Sequence, residues 1–161
     1  MGRKCTDSDS GRAELRLEEF LPYRLSILAG RVSVSFAGIY KQRFGISIPE
    51  WRVLANLGQF APLTAAELVQ YSSMDKVRIS RTISKMVGSG LITRQTNPDD
   101  NRALILRLST RGQELLAQIT PLALAWEAEL LSDLDEQEIA LLDNLLNRLA
   151  SKVDRLSTTA D

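Results

Sequence analysis

The residues best equipped for chemistry in this chain are cations and hydroxyls on one helical repeat. Arg78, Arg81 and Lys85 recur at spacings of three and four, interleaved with Ser80 and Ser84, between Asp75 and Val87. At about 100° per residue, Ile79, Ile83, Met86 and Val87 fall on one stripe of a helix, and Val77, Arg78, Arg81, Ser84 and Lys85 fall on the other side. One face can anchor the helix while the other is presented outward. Arginine can meet O6 and N7 of guanine with two hydrogen bonds, serine hydroxyls suit phosphates or base edges, and a valine suits a thymine methyl. Charged residues taken alone usually do no more than solvate a surface, so the neighbouring elements must decide.

Other chemistries lack their parts. The 161 residues include no histidine and one cysteine, Cys5, which removes the commonest general base and metal ligand, any internal disulfide and any CxxC pair. Cys5 sits in a polar segment beside Arg3 and Lys4 and reads as an unremarkable thiol. No phosphate-cradling glycine loop accompanies the carboxylates and serines, so the chain is expected not to be an enzyme and to need neither cofactor nor metal. No apolar run of signal-peptide or membrane-span length occurs, which predicts a cytoplasmic protein without a membrane partner.

Charge is zero overall but strongly sorted. Between Tyr71 and Gly112 stand Lys76, Arg78, Arg81, Lys85, Arg94, Arg102, Arg107 and Arg111 against Asp75, Asp99 and Asp100, a local excess of five positive charges. Between Pro121 and Arg155 the excess is five negative. A positive surface confined to one segment is the electrostatic footprint of a nucleic-acid contact.

The elements that would position these residues follow from capping and periodicity. Leu15, Leu17, Phe20 and Leu21 begin an apolar helical stripe that continues through Leu25, Leu28, Val32, Phe36, Ile39 and Tyr40, with a break or bend expected at Pro22 and an end at Gly45. Ser47 with Glu50, Thr64 with Glu67, and Asp135 with Glu138 are capping boxes that open three further helices. Asp75, or Ser72 or Ser73 just before it, caps the helix running to about Val87, which Gly88 and Gly90 end. Leu91–Gln95 and Ala103–Leu108 form a hairpin around the turn-rich run from Asn97 to Asn101. Ser109 then caps a helix in which Pro121 is expected to bend the axis.

Two short helices followed at once by a hairpin form a winged helix-turn-helix, whose second helix can enter the major groove of double-stranded DNA. In that arrangement Lys76, Val77, Arg78, Ser80, Arg81, Ser84 and Lys85 belong to the reading helix. Arg94, Asp100 and Arg102 belong to the wing, with Arg102 suited to the narrow minor groove and Asp100 to holding a wing arginine. The predicted fold class is mainly α with a small two- or three-stranded antiparallel wing. Residues 1–12 are read as a mobile tail, 47–112 as the winged helix-turn-helix, and 13–46 with 113–156 as a helical dimerisation region. Three long apolar stripes exceed what so small a winged domain can cover, which predicts a homodimer.

Several runs in order, Ser47-Ile-Pro-Glu-Trp-Arg-Val-Leu, Leu63-Thr-Ala-Ala-Glu-Leu, Asp75-Lys-Val-Arg-Ile-Ser-Arg-Thr-Ile-Ser-Lys-Met-Val, Gly90-Leu-Ile-Thr-Arg, Asp99-Asp-Asn-Arg-Ala and Leu108-Ser-Thr-Arg-Gly, resemble the MarR family of bacterial transcription regulators. The resemblance spans roughly Leu25 to Val153. It implies a triangular homodimer, a repressor that occupies a pseudo-palindromic operator, a recognition helix over about Lys76 to Val87, and a wing Asp-x-Arg at Asp100 and Arg102. Asn101 stands where members often carry a second basic residue, and Gly88 and Ser89 stand where charges are common. Members often bind small aromatic or anionic ligands between the dimer helices and the winged domain, which adds a small-molecule effector to the candidate partners. The sequence leaves its ligand-binding residues unassigned; Tyr23, Arg24, Arg31, Tyr40 and Trp51 are candidates by proximity alone, and Trp126 reads as core. The alternative from another class is a winged-helix module whose basic face binds an acidic protein surface.

Overall fold

The computed structural model describes residues 14–96 and 104–158. Six helices and a three-stranded sheet follow in the order α1 (Leu21–Phe44), α2 (Ile48–Phe60), β1 (Leu63–Thr64), α3 (Ala65–Ser72), α4 (Lys76–Gly88), β2 (Ile92–Thr96), β3 (Leu104–Leu108), α5 (Thr110–Leu130) and α6 (Glu136–Thr158). The expected mainly α winged helix-turn-helix is the observed fold. The sheet is antiparallel in the order β1-β3-β2, with Leu63 opposite Leu106 and Arg94 opposite Leu106 on its other side. The third strand is only two residues long, too short for an alternating pattern to reveal it.

Local chemistry sets the boundaries. Pro22 does not interrupt α1; it sits in the first turn, where its missing amide hydrogen costs nothing, and Leu15 and Leu17 lie before the helix. The expected helical start near Leu15 is therefore too early. Gly45 closes α1 in the left-handed conformation at φ 71°, its amide donating to the Lys41 carbonyl. Helix α5 runs unbroken through Pro121, although that residue cannot donate to the Ala117 carbonyl. The α3 box is complete: the Thr64 amide donates to the Glu67 carboxylate at 2.7 Å and the Glu67 amide to the Thr64 hydroxyl at 3.3 Å.

The core lies between α2, α3, α4, the sheet and the middle of α5. Val53, Leu54, Leu57, Leu68, Ile79, Met86, Leu106 and Ile119 are essentially sealed from solvent. Two glycines let elements meet closely: a Cβ on Gly112 would strike the Leu91 carbonyl oxygen, and one on Gly58 would strike the end of the Leu116 side chain. Outside this core the helices are bare. No residue of α6 is buried, and every residue of α1 from Leu21 to Arg31 is exposed.

Candidate nucleic-acid interface

Asp75 starts α4 by accepting the Arg78 amide on its carboxylate at 2.8 Å. That hydrogen bond, with help from the Arg78 charge, holds the Asp75 pKa below its ordinary value. The ionised carboxylate thus fixes where the helix begins and hence the rotation of every later side chain. Ile79, Thr82, Ile83 and Met86 are buried and Val87 is half-buried. Thr82 satisfies its hydroxyl on the Arg78 carbonyl at 2.8 Å, which is how a polar residue joins the apolar face.

The remaining arc faces outward. Lys76, Val77, Arg78, Ser80, Arg81, Ser84 and Lys85 are all exposed, and Val77 is 60% exposed in the midst of the charges. By helical geometry Ser80, Ser84, Val77 and Arg81 occupy the centre of this arc, with Lys76 on one flank and Lys85 and Arg78 on the other. The wing places Arg94 exposed at the middle of β2 and Arg107 exposed on β3. Asp100 and Arg102, the expected wing-tip pair, lie outside the described residues, as do Cys5 and the segment 1–12.

Lys85 is committed differently from its neighbours. Its ammonium donates to Oε2 of Glu50 at 3.0 Å, at the α2 N-terminus. The Lys85 side chain is 63% exposed and the Glu50 side chain 5%. The same Oε2 accepts the Ser47 amide at 2.9 Å and the Ser47 hydroxyl at 2.6 Å. Burial alone would raise the Glu50 pKa, but the Ser47 hydrogen bonds and the Lys85 ammonium outweigh it and hold it below the ordinary carboxylate range. This partnership was invisible in the sequence because the residues stand 35 positions apart. Two further ties also went unread. Arg111 donates to the Ser89 carbonyl at 3.1 Å, joining α5 to the end of α4. Arg52 reaches the Ser72 carbonyl at 3.3 Å and the Ser33 hydroxyl at 3.4 Å. A charged residue between Trp51 and Val53 was the one available signal for it.

The residues nominated for a ligand crevice divide. Tyr40 and Trp51 belong to an aromatic cluster with Phe36 and Trp126, at ring separations of 5.0–5.6 Å, and Tyr40 is buried, which raises its phenol pKa against the opposing Arg52 charge. Trp126 packs against the core as expected. Tyr23, Arg24 and Arg31 instead line an open groove on the bare first half of α1.

A capped helix with a basic, hydroxyl-bearing outer arc, set against a small antiparallel wing, defines a winged-helix DNA-binding protein. Comparison with known proteins points to the kind: a MarR family model matches residues 44–103, so this part of the chain is similar to the MarR family of transcriptional regulators. It is similar to the multiple antibiotic resistance protein MarR of Escherichia coli strain K12, 28% identical over 111 residues that make up 68% of this chain and 77% of that protein. Among solved structures it resembles a MarR/EmrR family transcriptional regulator from Acinetobacter sp. ADP1, with 27% identity, a TM-score of 0.80 and coverage of 88% of this chain and 99% of that one. A cysteine-to-serine variant of MarR from E. coli, solved in complex with operator DNA, matches with 25% identity, a TM-score of 0.72 and coverage of 84% and 99%. Among the described residues, no helix is long and apolar enough to cross a membrane, and no group of histidine, cysteine and acidic residues could hold a metal ion.

Proposed function

We propose that this regulator is a sequence-specific repressor that binds a pseudo-palindromic operator as a homodimer and acts by excluding polymerase from a promoter. The observation that carries the reading is the outward arc of α4, where Ser80, Arg81, Ser84 and Val77 stand together, flanked by Lys76 and Arg78, with Arg94 exposed on the adjoining wing. Residues 47–112 act as the DNA-binding unit in this reading, and 13–46 with 113–156 as the dimerisation region. Arg81 reads a base edge, Lys76 and Arg78 meet phosphates, and the wing supplies Arg94 and Arg102, with Asp100 orienting an arginine. Lys85 can reach a phosphate only by leaving Glu50.

The bare faces of α1 and α6 support the dimer. Leu142, Leu145, Leu146 and Leu149 are each 40–48% exposed, and covering one such side chain contributes roughly 1.5–3 kcal/mol. A relative solved on operator DNA supports the DNA partner. The cytoplasm, where bacterial DNA lies, is the location this function requires. Release by a small-molecule effector is part of the proposal. A cavity of about 440 Å³ beside the Glu50–Lys85 pair, lined also by Phe44, Ile46, Arg111 and Glu114, is large enough to admit one. A ligand that binds a DNA-incompetent arrangement more tightly would shift the population away from the operator.

Selection of bound duplexes from a random library tests the reading. The expected motif is two-fold symmetric, with half-sites about one helical turn apart. Affinity for random duplex should fall steeply with salt, at a slope of about −0.9 per phosphate neutralised. Absence of duplex binding even at low salt would overturn the proposal in favour of a protein-binding module.

A further inference from the structure

Two residues near the start of α2 bear on the placement of α4, one by bonding α4 itself and the other by bonding the end of α3, from which the chain turns into α4. Glu50, in the first turn of α2, takes the ammonium of Lys85, in the last turn of α4. Arg52 donates one guanidinium nitrogen to the carbonyl of Ser72, the final residue of α3. That carbonyl is one that α3 itself leaves unpaired at its negative end, so a cation suits it. Immediately after it, Ser73 takes the left-handed conformation at φ 53° and the chain turns into the Asp75 cap. The other terminal nitrogen of Arg52 donates to the hydroxyl of Ser33 on α1.

We infer that Glu50 and Arg52 are positioning residues for the recognition helix, Glu50 holding its last turn directly and Arg52 anchoring the end of α3 from which the chain turns into its first, and that Arg52 joins this hold to α1. The inference rests on the DNA-binding reading above and adds to it the route by which a shift of α1 reaches the base-reading face. The lever is short. From Lys76 to Lys85 the helix spans roughly 14 Å at 1.5 Å per residue, so a slip of about 1 Å at one end tilts it by roughly 4°. Base-edge hydrogen bonds tolerate about half an ångström of error, whereas flexible lysines and arginines follow phosphates through larger displacements. Loss of the Arg52 tie therefore costs sequence discrimination while leaving general DNA affinity intact, and loss of the Glu50 tie costs discrimination while also releasing Lys85 to the DNA backbone. Neither Glu50 nor Arg52 lies on the outward arc, so neither touches DNA in this account.

The test uses the full chain, the duplex enriched by selection, and a random duplex of equal length. Arg52→Lys keeps the charge but supplies a single head that cannot reach Ser33 and Ser72 together. Glu50→Gln removes the partner of Lys85. With unfolding midpoints confirming folded proteins, each variant is expected to lower the ratio of selected to random affinity about tenfold; random-duplex affinity and its salt slope stay unchanged in Arg52→Lys, whereas in Glu50→Gln the released Lys85 can meet a phosphate and both rise. Ser33→Ala, the mildest change, is expected to lower the ratio about threefold in the parent and not at all in Arg52→Lys. It remains decisive even if a change at Glu50 or Arg52 prevents folding. A ratio preserved in folded Arg52→Lys and Ser33→Ala would overturn the inference, because packing of Ile79, Ile83 and Met86 would then set the tilt unaided. Parallel loss on both duplexes would also overturn it. Failure of the parent protein to bind either duplex would instead remove the DNA-binding reading itself.

Discussion

The Nζ of Lys85 lies 3.0 Å from Oε2 of Glu50, a carboxylate sealed to 5% side-chain exposure, so the last turn of the recognition helix is tied by charge to the first turn of α2. Because Glu50 titrates below its ordinary value in the folded chain, its contribution to stability is present above its unfolded pKa and is lost as pH falls through the folded one. Glu50→Gln is therefore expected to destabilise the protein by about 1–2 kcal/mol near neutral pH and to flatten the acid limb of its stability profile. Urea unfolding across that range reads both effects. A difference between parent and variant that does not shrink on acidification would contradict the assignment.

Arg81 and Arg94 should fail in different ways. Arg81 stands at the centre of the outward arc, so its replacement by alanine is expected to cost about 1–3 kcal/mol on the selected duplex and to relax preference at one base position. Arg94 lies exposed on the wing strand. Arg94→Ala is expected to weaken binding to all duplexes alike and to reduce the salt slope by about one unit. Titrations at several salt concentrations separate the two patterns, and identical profiles would mean that the wrong surface has been set on DNA.

Capping chemistry made most of this fold legible from sequence. Ser47, Thr64, Asp75, Ser109 and Asp135 all precede the helices they were read to open, because a cap is a local contract between residues three apart. The two faces of α4 were legible for the same reason. Three kinds of feature were not. Pro22 was read as an interruption because the apolar stripe runs past it on both sides, although the stripe before it is not helical. Strand β1 is two residues long and has no pattern of its own. The ties made by Glu50, Arg52 and Arg111 join residues 19 to 35 positions apart, and no periodicity links such pairs.

Gly112 and Gly58 offer a test in which helix propensity and packing oppose each other. Both lie in helices, where glycine to alanine ordinarily gains about 0.8–1 kcal/mol. A Cβ on Gly112 meets the backbone oxygen of Leu91, which cannot move without shifting the entry to the wing, since that oxygen also accepts the Ser109 amide at 3.0 Å. Gly112→Ala is expected to destabilise by about 1–3 kcal/mol. At Gly58 the obstacle is the far end of the Leu116 side chain, beside a cavity into which it can turn, so Gly58→Ala is expected to lie near neutrality. Denaturant midpoints of the two variants, compared with the parent, should rank in that order; the reverse order would show that α5 can slide over the wing.

Helix α6 is the strongest argument for a second chain. Its apolar residues Leu142, Leu145, Leu146 and Leu149 repeat at helical spacing, none is buried, and Leu141, Val153 and Leu156 are each 58% exposed. A helix of 23 residues with such a stripe gains little from propensity alone, and the proposed homodimer would supply the packing that stabilises it. Leu145→Asp places a charge in the middle of that stripe, where desolvation without a partner costs more than a buried leucine contributes. On the proposed homodimer, the parent is expected to sediment as a dimer and the variant as a monomer at the same concentration. The variant should also lose operator affinity by about a hundredfold or more, because two reading heads no longer share one binding event. Retained helicity around the Val53, Leu54 and Met86 core would place the defect in association. A parent protein that sediments as a monomer at micromolar concentration would show instead that the stripe serves some other contact.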